Sequence, residues 1–210
     1  LTERALATRT DALIAVGPEV RDDLVRRGVG QRNQFTVIEP GVEVNKTHSR
    51  ESSRRLLGLE RNEVVISFVG RLVPIKRVDR FIAALRLLLG SGISVTALVA
   101  GDGPLRDELE KTASSQGINI RFLGWMSEPE MVFAASDLTV ISSDNEGTPL
   151  SVIQAALLGV PAVATNVGSV GHLIDEGVTG WLAAPSTQDL ARAMREAINA
   201  IRTDRESLSA

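Results

Sequence analysis

The residues best suited to chemistry lie in one stretch, S-D-N-E-G-T-P-L-S-V-I-Q-A, from Ser143 to Ala155. It puts a carboxylate, Glu146, in a glycine-containing loop that runs straight into an apolar helix. Thr148 reads as the N-cap of that helix and Pro149 as its first residue. A helix N-terminus carries free N–H groups and partial positive charge, which suit a phosphate. A carboxylate beside it can accept hydrogen bonds from sugar hydroxyls. Phosphate and polyol together suggest a nucleotide-sugar. Gln154, eight residues beyond Glu146, can point back along the helix toward the same end. The alternatives are a first-turn acid favoured by the helix dipole for Glu146 and a solvated helix position for Gln154.

Other groups fall at comparable places. Gly70 and Arg71 precede Lys76 in G-R-L-V-P-I-K. A glycine allows a sharp turn, arginine offers a planar fork for phosphate oxygens, and lysine offers a point charge. They read either as phosphate ligands or as two solvated cations. Gly101-Asp102-Gly103-Pro104 lacks the full G-x-G-x-x-G of a dinucleotide fingerprint and reads better as a tight turn, with Asp102 still able to face a ligand. Gly124-Trp125-Met126 offers either a wall and backbone edge for a base or a partly buried loop tryptophan. His48 reads as solvated and His172 as structural. Histidines and acids show no metal-ligand spacing, and no G-x-S-x-G is present.

These groups need a scaffold that gathers them. Short β-branched runs alternate with helical patterns, the signature of an α/β protein with a parallel sheet. Six strands are expected, at Val64–Val69, Ser94–Val99, Asn119–Leu123, Leu138–Ile141, Pro161–Ala164 and Gly180–Ala183. The helices between them are expected at Val78–Leu89, Pro104–Gln116, Pro129–Ala134, Pro149–Leu158, Val170–Asp175 and Thr187–Ile201. That is a Rossmann-like, doubly wound sheet, in which ligands bind outside the carboxyl ends of the strands. Apart from His48 in the linker and Gln154 within its helix, the groups named above follow a strand or open the next helix.

Upstream, residues 1–9 read as helix, Ala12–Val16 as strand, Pro18–Arg27 as helix stopped by Gly28, and Phe35–Ile38 as strand. This is too little for a core of its own, so residues 1–44 read as the end of a preceding domain. Residues 40–54 are polar and linker-like. The expected division is a remnant at 1–44, a linker at 45–57 and a ligand-binding domain at 58–210. The chain does not begin with Met and reads as part of something longer.

Composition narrows the function. The 210 residues are 43% apolar and 23% charged, with net charge −3. That charge gives no electrostatic case for nucleic acid or an anionic membrane. Aromatics are only 3% and there is no Tyr, which disfavours a single-stranded nucleic-acid platform. With no Cys, thiol and disulfide chemistry are excluded, in agreement with a cytoplasmic location. No apolar run is long enough to span a membrane.

The motifs F-V-G-R-L-V-P-I-K-R-V, V-A-G-D-G-P-L, F-L-G-W and S-S-D-N-E-G-T-P-L-S-V-I-Q-A, in that order, resemble the donor-binding C-terminal half of family 4 retaining glycosyltransferases. G-V-T-G-W-L follows in its place, and the upstream D-A-L-I-A-V-G-P-E-V-R-D-D-L resembles the end of their acceptor domain. The resemblance covers nearly the whole chain. It implies the GT-B fold, two Rossmann-like domains facing a cleft, and a nucleotide-diphosphosugar substrate, UDP by family frequency. It implies no cofactor and no metal. Arg71 and Lys76 would bind the diphosphate, with Gly70 in the same turn. Gly124, Trp125 and Met126 would hold the base, and Glu146 would contact the donor sugar. The Gly147, Thr148, Pro149 and Leu150 backbone would reach the phosphate, with Gln154 near the ribose. The family usually has an acid at the last position, and an amide can still hydrogen-bond ribose hydroxyls. Gly168–His172, G-S-V-G-H, also departs from the usual G-x-P-E. The acceptor would be held by a missing N-terminal domain, and the parent enzyme is compatible with peripheral membrane association. Alternatives are an epimerase or phosphorylase on the same fold, a dinucleotide-dependent oxidoreductase, or a non-catalytic nucleotide-sugar-binding module.

Overall fold

A computed structural model of the chain describes residues 2–45 and 47–207. Of the stretches read above, Leu1, Lys46 and residues 208–210 lie outside the described residues. The chain opens with α1 (Thr2–Ala7), β1 (Leu13–Ala15), α2 (Pro18–Arg26), β2 (Phe35–Val37) and α3 (Arg50–Leu56). Strands β3 (Val65–Val69), β4 (Thr96–Ala100) and β5 (Ile120–Gly124) then alternate with α4 (Val78–Gly90) and α5 (Arg106–Ser115). They are followed by α6 (Glu130–Ala135), β6 (Leu138–Ile141), α7 (Leu150–Leu157), β7 (Ala162–Thr165), β8 (Gly180–Ala183) and α8 (Thr187–Ser207).

Strands β3 to β8 form a six-stranded sheet in the order β5-β4-β3-β6-β7-β8, and every pairing is parallel. This is the doubly wound order expected from the alternating pattern. β1 and β2 pair in parallel in a separate two-stranded sheet.

Alternation along β3 explains the two layers. Ile66 and Phe68 point to one face, where they pack with Phe81, Leu85 and Leu88 of α4 and with Leu190, Met194 and Ile198 of α8. The Phe68 and Phe81 rings stack with centroids 6.2 Å apart. Val65 points to the other face, with Leu98, Ala100, and Val132 and Ala135 of α6. Each large side chain buried this way stabilises the fold by about 1.5–3 kcal/mol, so the sheet is a rigid base for the loops at its edge.

The observed boundaries correct several expectations. The polar stretch read as a linker contains α3, capped by Ser49, whose Oγ accepts from the Ser52 N–H at 3.2 Å. Its charged sequence conceals how it is held. Arg50 donates to the Ser136 carbonyl at 2.9 Å, and Arg54, buried, donates to the carbonyls of Ala135, Glu60 and Glu63. Polar bonds, not an apolar stripe, dock this helix. His48 in the same stretch is partly covered and contacts Glu128 at 3.1 Å. α5 begins at Arg106 rather than Pro104: Leu105 is the N-cap, and its carbonyl accepts from the Leu109 N–H at 3.0 Å, while its own N–H donates to the Leu72 carbonyl at 3.2 Å. The short helix expected at Val170–Asp175 is a single 3-10 turn, Val170–His172.

One topological feature positions the site. β3 lies between β4 and β6: the chain runs outward from β3 to β4 and β5, then crosses back to β6 on the other side of β3. The loops after β3 and β6 therefore emerge side by side at the sheet's carboxyl edge, the switch point where such folds bind ligands.

Candidate functional site

Lys76 ends a 3-10 turn, Pro74–Lys76, in the loop after β3, and Glu146 lies in the loop after β6. The Lys76 ammonium donates to both carboxylate oxygens of Glu146, at 2.7 Å to Oε1 and 2.9 Å to Oε2. Ser143 Oγ donates to Oε1 at 2.5 Å. The Glu146 side chain is only 8% exposed and that of Lys76 23%. An ammonium has three protons and an ionised carboxylate about four lone-pair sites. Two protons and three acceptor sites are used, which leaves one donor on Lys76 and acceptor capacity on Glu146 Oε2.

The two loops are also joined through their backbones. Ser142 Oγ donates to the Lys76 carbonyl at 2.9 Å, and the Asp144 N–H donates to the Ile75 carbonyl at 2.9 Å. Arg80, on the first turn of α4, donates to the Ser142 carbonyl at 2.6 Å and to Asp144 Oδ1 at 2.5 Å. Arg77 bridges Asp79 and Asp144. Burial pushes the Asp144 carboxyl up, but hydrogen bonds from Arg80 and Arg77 outweigh it and hold it below the usual carboxylate range. The hydrogen bond from Arg77 likewise lowers Asp79. Arg77, hydrogen-bonded to Asp79 and then to Asp144, is held above the ordinary guanidinium value. Ser143 and Asp144 lie in the stretch picked out from the sequence but carry no role there, and Arg80 is not marked at all. The one signal for Arg80 is a charged residue inside the apolar run of α4.

Other expected residues divide between those at the pair and those beside it. Arg71 is exposed on the same loop as Lys76 and makes no ion pair among the described residues. Gly70 is not the glycine that the turn requires, since a Cβ there would meet only the Phe68 ring, at 3.6 Å. The demanding position is Gly101, with φ +136°, where a Cβ would lie 1.9 Å from the Gly70 carbonyl oxygen. Gly101–Pro104 is thus a tight backbone packing turn, and Asp102 accepts from the Gly103 N–H at 2.7 Å. Gly124 accepts from the Gly101 N–H, Met126 packs against the core, and Trp125 is 75% exposed at the same sheet edge.

At α7 the cap differs from expectation. Pro149, with extended backbone, is the N-cap, and the helix starts at Leu150. Thr148 does not cap it, because its hydroxyl donates to the Val16 carbonyl at 2.8 Å. Among the described residues, the N–H groups of Gly147 and Thr148 have no backbone acceptor. The N–H of Leu150, as first helical residue, has none within the helix. Gln154 is half-buried in α7, and its side chain makes no hydrogen bond among the described residues.

The upstream segment closes over this region. Gly17 packs against Ser169, a Cβ at Gly147 would touch Val16 at 3.4 Å, and Glu19 of α2 contacts His172 at 2.7 Å. The loop after β7 packs on the Glu146 backbone. At Gly168, with φ +57°, a Cβ would lie 1.7 Å from the Glu146 carbonyl oxygen. Among the described residues, no group of three or more His, Cys, Asp or Glu could hold a metal ion. No helix among them is long and apolar enough to cross a membrane.

Comparison with known proteins agrees with this geometry. Residues 49–208 match the family described as glycosyl transferases group 1. The chain is 33% identical over 211 residues to a D-inositol 3-phosphate glycosyltransferase of Rhodococcus opacus (strain B4), covering 94% of this chain and 47% of the relative. A protein of the same description from Streptomyces avermitilis is 30% identical over 196 residues, covering 86% and 42%. The chain spans about half the length of the curated relatives it matches. Among solved structures, Anabaena Alr3699/HepE in complex with UDP and glucose superposes with a TM-score of 0.83 at 27% identity, over 94% of this chain and 56% of the other. Sucrose-phosphate synthase of Thermosynechococcus elongatus, at 22% identity over 95% of this chain and 52% of the other, shares the fold with a TM-score of 0.84. The six-stranded parallel sheet matches GT-B glycosyltransferase structures, and the chain belongs to the glycosyl transferases group 1 family.

Proposed function

We propose that this chain is the donor-binding part of a retaining, metal-independent glycosyltransferase of family 4 that uses a nucleotide-diphosphosugar, with UDP as the nucleotide. The observation that carries this reading is the Lys76–Glu146 pair, with one donor left on the ammonium and acceptor capacity left on the carboxylate. A lysine donor and a carboxylate acceptor side by side suit a phosphate next to a sugar hydroxyl. The complex of Alr3699/HepE with UDP and glucose supports the choice of ligand.

In this reading the diphosphate sits between the Lys76–Arg71 loop and the start of α7. The leaving group gains negative charge as the glycosidic bond breaks. Lys76, Arg71 and the free N–H groups at Gly147, Thr148 and Leu150 stabilise that charge. Glu146 orients the sugar through a hydroxyl, Trp125 and the Gly124–Met126 turn flank the base, and Gln154 hydrogen-bonds the ribose. The acceptor attacks from the face of the departing diphosphate, so configuration is retained. The acceptor itself is held by a preceding domain that ends in residues 1–44, and this chain alone transfers sugar poorly.

A thermal-shift screen against nucleotide diphosphates and their sugars tests the reading, since a ligand of the folded state raises the melting temperature by mass action. UDP and a UDP-sugar are expected to head the rank order. Stabilisation by NAD and not by any nucleotide diphosphate would replace this reading with that of a dinucleotide-dependent enzyme.

A further inference from the structure

We propose that Arg80 is a positioning residue for Glu146, which it holds in register for the donor sugar without touching the ligand. The inference rests on the donor reading of Glu146 given above. The α4 residues around Arg80, namely Val78, Phe81, Ile82 and Leu85, are apolar and buried, so helix packing alone does not call for an arginine. Yet Arg80 is only 5% exposed. A buried guanidinium is costly unless its donors are met. Its donors reach the Ser142 carbonyl at 2.6 Å, the Ser143 carbonyl at 3.4 Å and Asp144 Oδ1 at 2.5 Å.

All three acceptors lie in the short span between β6 and Glu146, and two of these residues bond the Lys76–Glu146 pair directly. Ser143 donates to the Glu146 carboxylate, and its carbonyl is also fixed by Thr165 Oγ1 at 2.7 Å. Ser142 Oγ holds the Lys76 carbonyl. Arg80 itself stands four residues beyond Lys76, at the start of the helix that follows the lysine. One side chain therefore ties the origin of α4 to the loop that presents the carboxylate. Without it, Ser143 loses one of its two carbonyl anchors, and the carboxylate that Ser143 orients loses its fixed direction. Lys76 shares that carboxylate through its ammonium, but among the described residues Arg71 and the N–H groups at the start of α7 make no bond to it, so most of the diphosphate site is independent of that direction.

The test is calorimetric titration of UDP and of UDP-glucose into the wild-type chain, Arg80→Met, Glu146→Gln and the double variant. Arg80→Met is expected to hold UDP within about twofold of wild type, and to raise the ratio of the UDP-glucose to the UDP dissociation constant about tenfold, the scale of a lost charged hydrogen bond. Glu146→Gln is expected to change the same ratio, and the double variant to change it no further than the larger single effect, because both act through one carboxylate. A role confined to folding would shift both ligands alike. Equal weakening of UDP and UDP-glucose in Arg80→Met, an unchanged ratio, or additive effects in the double variant would each overturn the proposal. If Arg80→Met does not fold, Asp144→Asn, isosteric and at an exposed position, removes the charged acceptor of the same clamp and is read by the same ratio. If the wild-type chain binds neither UDP nor UDP-glucose, the donor reading itself fails and the role of Arg80 falls with it.

Discussion

Lys76 Nζ donates to both carboxylate oxygens of Glu146, at 2.7 and 2.9 Å, although the two residues are 70 positions apart in the chain. The doubly wound topology makes this contact possible by setting the loops after β3 and β6 side by side. The pair neutralises a nearly buried carboxylate and places a cation next to it.

The first consequence concerns stability. Removing the ammonium leaves Glu146 with Ser143 as its one side-chain donor. Lys76→Met is therefore expected to lower the unfolding free energy by about 1–3 kcal/mol, the cost of a nearly buried charge that loses its partner. Adding Glu146→Gln should restore much of that loss, because the uncompensated charge is gone. Urea unfolding of the two single variants and the double variant measures the coupling. Strict additivity would show that the two side chains are not energetically coupled in the folded state.

Arg71 should behave differently. It is exposed and unpaired among the described residues, so Arg71→Ala is expected to change the unfolding free energy by less than about 0.5 kcal/mol. Its loss should still weaken UDP binding by about 1–3 kcal/mol. Calorimetry showing unchanged UDP affinity would remove Arg71 from the phosphate site.

The backbone of Arg77 gives a separate test. It is the one non-glycine residue with positive φ among those described, at φ 49°, ψ 46°, and it is the N-cap of α4. Arg77→Ala and Arg77→Gly both remove the bonds to Asp79 and Asp144. Only glycine adopts this conformation freely, and it is also the better N-cap. Arg77→Gly is expected to be more stable than Arg77→Ala by about 1 kcal/mol. Chemical denaturation of both variants checks this, and equal stabilities would argue against a left-handed residue here.

The acidic clamp predicts a pH dependence. Hydrogen bonds from Arg80 and Arg77 outweigh burial at Asp144, and a hydrogen bond from Arg77 acts on Asp79. Both carboxyls titrate lower in the folded state than in the unfolded chain. Their contribution is thus fully present above the unfolded carboxylate pKa of about 3.9 and is lost as pH falls through the lower folded values. Stability should be flat with respect to these groups near neutrality and fall below about pH 4. Asp144→Asn should show a shallower acid loss than wild type. An identical acid profile would mean that the clamp does not discriminate between the protonation states of Asp144.

The sequence made the scaffold readable wherever hydrophobic periodicity was strong. Runs such as Val65–Val69 and Thr96–Ala100 are buried on both faces and stand between turn residues, so their order and type follow directly. α3 was hidden because its docking depends on the guanidinium groups of Arg50 and Arg54 rather than on an apolar stripe. At the site, Glu146 and Lys76 were legible from chemistry plus strand-end position. Their direct contact was not, because it depends on which strands become neighbours. Thr148 shows the limit of a local rule. It has the composition of a cap, but a carbonyl from residue 16, distant in sequence, takes its hydroxyl. Arg80 was not legible either, because its acceptors are main-chain carbonyls that leave no mark in composition.

A crystal structure of the chain with UDP-glucose at saturating concentration tests the donor role of the Lys76–Glu146 pair most directly. A diphosphate oxygen is expected within hydrogen-bond distance of Lys76 Nζ and of the N–H groups at the start of α7, with a sugar hydroxyl on Glu146 Oε2. A nucleotide seated elsewhere, with Lys76 still bonded only to Glu146, would contradict it.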